Sequence, residues 1–124
     1  MILDDVRPST NLTSVTAKAY EDETGFSNTW YLRAYAICAD PVQGLTLAPP
    51  ATSVLNSQNK GYTYAHCPTN RRALSVSGTI NGGFGQVQML ASFVSNTHAA
   101  FFAAEDRTGF SGNWSQTTYA ICAT

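Results

Sequence analysis

The chain is 124 residues long, 44% hydrophobic and only 12% charged, and its seven Lys and Arg against eight Asp and Glu leave a formal charge of −1. That length suits one compact domain able to bury roughly two-thirds of the surface its unfolded form exposes, with no metal needed for folding. The near balance of charge provides no field for phosphate backbones or anionic lipid, and no apolar run approaches the roughly eighteen residues of a bilayer-spanning helix, so neither nucleic acid nor membrane insertion is expected.

The opening residues, Met1 to Arg7, lack the basic start and apolar centre of a secretory signal. Glu21 to Ala39 then reads as a hairpin: a strand ending at Glu21-Asp22, a turn containing Gly25, and a strand from Trp30 to Cys38. Glycine suits the turn because it takes positive φ without a Cβ clash. Along the second strand Tyr35 and Ile37 take one face, and Trp30, Ala36 and Cys38 the other. Asp40 to Ser57, with Pro41, Pro49 and Pro50, reads as a connector in which Leu45 and Leu47 are placed to pair along an edge.

Further strands are predicted at Gly44–Leu47, Gly61–Cys67, Arg72–Ile80, Gln86–Val94 and His98–Ala104, with Asn81-Gly82-Gly83 turning between two of them. Apolar residues alternate at Leu74, Val76 and Ile80, and again at Val87, Met89, Ala91 and Phe93, so the faces of these strands differ. No segment carries a helical pattern. The expected fold class is all-β, with antiparallel sheets arranged as a sandwich or prism.

An internal repeat organises the chain. Glu21–Ala39 (EDETGFSNTWYLRAYAICA) and Glu105–Ala123 (EDRTGFSGNWSQTTYAICA) agree at twelve of nineteen positions, without a gap, at an offset of 84 residues. A full unit therefore spans about residues 40–124, and residues 1–39 form a partial unit holding the terminal hairpin, the two packed as a single compact domain. A partial unit lacks the strands its hairpin should pair with. Its edge must join the sheets of the complete unit or be covered by another chain, which predicts a protein partner or a homo-oligomer built through an exposed strand edge.

Three cysteines, Cys38, Cys67 and Cys122, leave at least one without an intrachain partner. Cys38 and Cys122 are equivalent under the repeat, so Cys67 can pair with either; Cys67–Cys122 is favoured because both lie in the complete unit. Cys38 is then unpaired, as a buried small side chain or in an interchain disulfide. None stands in Cys-x-x-Cys, and with His66 and His98 as the only histidines no metal site is expected.

Gly61 to Ala123 contains Cys67-Pro68 after a strand, a basic turn, Leu74-Ser75-Val76-Ser77-Gly78, a glycine-rich turn and a terminal Tyr119-Ala120-Ile121-Cys122-Ala123. This resembles a β-repeat family of actinobacterial extracellular proteins and of structural and tail proteins of their phages. The resemblance covers about half the chain and extends weakly to Tyr35–Ala39; the family's glycines are replaced here by Thr69-Asn70 and Ser75-Val76-Ser77. It implies an extracellular or particle-surface location, and it implies that Cys67 and Cys122 are the matched pair.

The raw materials for catalysis are scarce. His66 adjoins Cys67, so their side chains leave a strand on opposite faces, and His98 lies near a loop. Glu21-Asp22 and Glu105-Asp106 read first as solvated Asx-type turns and second as oxygen donors for calcium. Trp30, Tyr31 and Trp114, with Phe26 and Phe110, read first as core and second as platforms for a sugar or protein partner. Gly82-Gly83-Phe84-Gly85 has no helix or Lys-Ser/Thr behind it to make a phosphate cradle. The chain is expected to be no enzyme and to need no cofactor. It reads as a structural or protein-binding module of an extracellular or virion surface, with a lectin-like glycan-attachment module as the alternative.

Overall fold

A computed structural model describes all residues from Met1 to Thr124. Nine strands follow in order: β1 (Ile2–Pro8), β2 (Val15–Tyr20), β3 (Thr46–Leu47), β4 (Ala51–Thr52), β5 (Thr63–His66), β6 (Arg72–Asn81), β7 (Val87–Val94), β8 (His98–Glu105) and β9 (Ser115–Ala123). There is no helix. One sheet has the order β2-β1-β6-β9-β3, with β4 also on β9, and a second has the order β5-β8-β7; every pairing is antiparallel.

The longest ladder joins β6 to β9, from Arg72 opposite Ala123 to Asn81 opposite Ser115, with a register shift between Ala73 and Ser75. The core lies between the sheets and is made largely of small side chains. One cluster gathers Ala48, Ala65, Ala99, Ala120 and Cys122; the other gathers Ile80, Val87, Phe101, Ala103 and Trp114. Small residues let the sheets approach closely. At Gly78 a Cβ would lie 2.5 Å from the Phe101 ring, so the ring packs directly on the β6 backbone.

Two expectations are corrected here. Neither repeat copy is a hairpin: β8 pairs with β5 and β7 in the small sheet, whereas β9 pairs with β6, β3 and β4 in the large one. The connection from Asp106 to Trp114 crosses between sheets, because Trp114 is buried in the core and bridged to Asn56 where it leads into β9. The strand expected from Trp30 to Cys38 does not form either. Those residues have no partner strand, and a strand without one has no ladder.

The strand expected to end at Glu21-Asp22 is β2, whereas β1 had no counterpart in the sequence reading. β1 and β2 pair with each other, and β1 joins β6 through Asp5 opposite Thr79 and Val6 opposite Gly78. The β1–β2 ladder shifts register between Leu3 and Asp5; the β7–β8 ladder shifts between Met89 and Ala91.

The shift in β1 buries two consecutive acids. Asp5 accepts a hydrogen bond from Thr79 Oγ1 at 2.5 Å and lies 3.3 Å from Arg7 Nε, whereas Asp4 Oδ1 has no partner. Desolvation, with the neighbouring Asp5 charge, pushes the Asp4 carboxyl up to about 6 against the opposing pull of Lys18. A raised carboxyl pKa means the folded state holds its proton more tightly than the unfolded chain, so stability falls as pH rises from about 4 to 6. Replacing Asp4 with Asn should remove that loss. In urea titrations the variant's advantage over the native chain should grow across this window to on the order of 1–3 kcal/mol above it.

Candidate functional site in the unpaired arm

The two acidic turns are built alike. Thr24 N–H and Oγ1–H donate to Asp22 Oδ1 at 3.1 and 2.5 Å; Thr108 does the same to Asp106 at 2.9 and 2.7 Å. Gly25 and Gly109 close the turns on the aspartate carbonyls, with φ of 70° and 78°, where a side chain would be strained. Glu21 accepts from the Phe26 amide at 3.3 Å and the Trp30 indole at 2.8 Å; Glu105 accepts from Phe110 at 3.2 Å and Trp114 at 3.0 Å. This is the geometry of the Asx-type turns expected first. Both oxygens of Glu21 and of Glu105 already serve N–H donors, and the aspartates serve their turns, with Asp22 also 3.6 Å from the N-terminal ammonium. No cluster of three or more His, Cys, Asp or Glu side chains is placed to hold a metal.

Beyond the tryptophans the copies part. Trp114 is wholly buried and capped by the Lys60 ammonium, 4.2 Å from the ring centroid. The Lys60 ammonium in turn donates to Asn56 O at 3.0 Å, to Asn56 Oδ1 at 2.6 Å and to Gln58 O. Trp114 is therefore a core residue and no ligand platform. From it runs β9, buried on its inner face. Gln116, fully buried, accepts from Ala103 N–H at 2.7 Å and donates to Gly61 O, Thr63 Oγ1 and Phe101 O at 2.7, 2.7 and 3.2 Å. Thr118 donates to Thr63 O at 2.8 Å, and Thr117 meets Thr52 Oγ1 at 2.9 Å and the Asn81 amide at 3.1 Å. Cys122 closes the inner face in a disulfide with Cys67, S–S 1.99 Å.

Trp30 is half-buried, and every residue from Tyr31 to Gln43 is exposed. No residue from Phe26 to Pro41 makes a backbone–backbone hydrogen bond. Tyr31 is 79% exposed, Tyr35 77% and Ile37 fully. Cys38 is a free, exposed thiol, which corrects its reading as a buried small side chain. The arm's only polar side-chain contacts beyond the turn are local, Arg33 reaching Tyr35 Oη at 3.1 Å and lying over the Tyr31 ring. It borders shallow hollows lined by Leu3, Val6 and Val15 and by Leu12, Leu74 and Ile121, but forms no ladder with either surface. Trp30 and Tyr31 are thus brought to the surface together, and Trp114 lies apart from them in the core.

A second surface involves aromatics that read from the sequence as core or interface, Tyr62, Tyr64, Phe101 and Phe102, of which Phe101 is buried in the core. Tyr62, Tyr64, Phe93 and Phe102 share the outer face of the small sheet, with Tyr62 5.4 Å from Phe93 and 5.3 Å from Phe102. His66 and His98 face each other across the β5–β8 ladder, their rings 5.4 Å apart. Beside them Asn56, Gln58, Asn59 and Lys60 line a hollow of about 470 Å³ together with Tyr62 and Tyr64. The only signal was alternation within Tyr62, Tyr64 and His66, which a strand reading places on one face.

Fold and site together define an all-β protein of two antiparallel sheets stapled by one disulfide. Compared with protein-family models, curated proteins and solved structures, the chain finds no match. No helix is long and apolar enough to cross a membrane.

Proposed function

We propose that this protein is a non-catalytic assembly module of an extracellular or particle surface, which joins its partner by donating the arm from Trp30 to Ala39 as a strand. One observation carries the reading: the arm repeats the sequence and the turn geometry of β9, yet has no backbone hydrogen bond, whereas β9 is paired on both sides. A row of free N–H and C=O groups with apolar side chains on both faces is the chemistry of strand addition. The similar register shifts of β1–β2 and β7–β8 support treating β1, β2 and the arm as the end of a preceding unit. The disulfide fits an oxidising compartment.

Native mass spectrometry of the unreduced protein from its own source, combined with hydrogen exchange, tests this. The expected species exceeds one chain in mass and protects the arm amides. Ile37→Glu should dissociate it while β9 stays protected. A single-chain mass at every concentration would sink the proposal.

The exposed aromatic face beside the amide-lined hollow favours a second reading, glycan attachment, since ring faces stack on sugars and amides bond their hydroxyls. Glycan-array binding lost on Tyr62→Ala or Tyr64→Ala, with the fold retained, would promote it.

A further inference from the structure

The arm and β9 differ in a way that says what the arm fits, resting on the strand-donation reading above. They are identical at Trp30 and Trp114 and from Tyr35 to Ala39 against Tyr119 to Ala123, and they differ at four consecutive positions between. Tyr31, Leu32, Arg33 and Ala34 stand where β9 has Ser115, Gln116, Thr117 and Thr118. Those four β9 residues are all buried. Gln116 satisfies four partners on β5, β8 and the segment before β5, Thr118 caps Thr63 O, and Thr117 binds Thr52 and Asn81.

An arm laid into this slot would set Leu32 against the Ala103 N–H and the Gly61 and Phe101 carbonyls, leaving them without side-chain partners. It would also press the Arg33 guanidinium where Thr117 is enclosed. Each buried polar group stranded in this way costs about 1–3 kcal/mol.

We infer that the arm's acceptor is not a second copy of this chain but a related β unit with a different slot, and that residues 31–34 select it. The conserved flanks explain how one strand serves two units. Trp30 is oriented by Glu21 of its own turn, and Tyr35 to Ala39 offer the same small inner face as Ala120 and Cys122. The acceptor supplies strands of the β6 and β3 type with their ladder positions open. Its middle layer is apolar where it meets Leu32 and Ala34, and it leaves solvent or a carboxylate beside Arg33.

Refolding tests the selection directly. The full chain is reduced, unfolded and refolded at high concentration in a glutathione buffer, where joining two cysteine thiols reduces one glutathione disulfide to two glutathione thiols. Disulfides are then mapped. The native chain should return to single chains bearing Cys67–Cys122 and free Cys38. The variant Y31S/L32Q/R33T/A34T should exchange strands between copies and raise the interchain Cys38–Cys67 fraction by at least about tenfold, the ratio expected from satisfying one more buried polar group.

These positions are exposed, so the substitutions leave the host fold unchanged, and β9 protection in the single-chain fraction verifies that. A native chain exchanging as readily as the variant makes a second copy the acceptor and overturns the inference while strand donation stands. Exchange by neither chain overturns the assignment to residues 31–34. Failure of strand donation itself is seen separately, as a single-chain mass for protein from its own source.

Discussion

Trp114→Ala should cost this protein about 4 kcal/mol of unfolding free energy, and Trp30→Ala, at the equivalent place in the repeat, less than about 1 kcal/mol. Truncating the buried indole opens a cavity among Ile80, Val87, Phe101 and Ala103, strands a Glu105 oxygen and uncovers the Lys60 ammonium from its ring. Truncating Trp30 removes a half-buried ring whose one polar contact is with the exposed Glu21. Urea unfolding followed by tyrosine fluorescence and far-ultraviolet dichroism gives both values. Equal costs would mean that the arm is packed in the isolated chain as β9 is.

Reducing the Cys67–Cys122 bond should be nearly as damaging. It closes a loop with a sequence separation of 55, which in the chain-entropy model is worth about 4 kcal/mol, and for a chain of this size lowers the melting temperature by on the order of 15 °C. The thiols would then flank the cluster of Ala48, Ala65, Ala99 and Ala120, which has few large side chains to compensate. Calorimetry of Cys67→Ala/Cys122→Ala against the native chain measures the loss. Cys38→Ser should shift the melt by less than about 2 °C, because its thiol is exposed and unpaired.

Much of the architecture could be read from residue order. Alternation and turn glycines located β5 to β8 within a residue or two, and membership of one repeat unit pointed to the Cys67–Cys122 pair. What escaped depended on partners distant in sequence. The spacing from Glu105 to Trp114 looks the same whether the chain folds back or crosses to the other sheet, and only the packing of Trp114 under Lys60 decides it. The identity of Tyr35–Ala39 to Tyr119–Ala123 suggested two strands, but a strand is defined by its neighbour, and only the second copy has one. β1 was missed because Asp4 and Asp5 break the apolar alternation at a bulge. Gln116 was overlooked because a lone amide in a polar run carries no sign of burial. Trp114 cannot be a platform because its indole is wholly buried under Lys60, which its sequence, shared with Trp30, does not reveal.

The Gln116 amide has a further effect on how the strands align. Its four hydrogen bonds tie β9 to β5, to β8 and to the loop entering β5, and side chains on a strand alternate between faces. A slip of β9 by one position along β6 would swing this amide to the outer face and drive Ser115 and Thr117 inward, where their short hydroxyls cannot span the same gap. Alanine faces are nearly interchangeable and would tolerate such a slip on their own. The amide therefore acts as an index pin midway between Trp114 and the Cys67–Cys122 bond, holding the alanine-lined stretch of the two sheets in a single alignment.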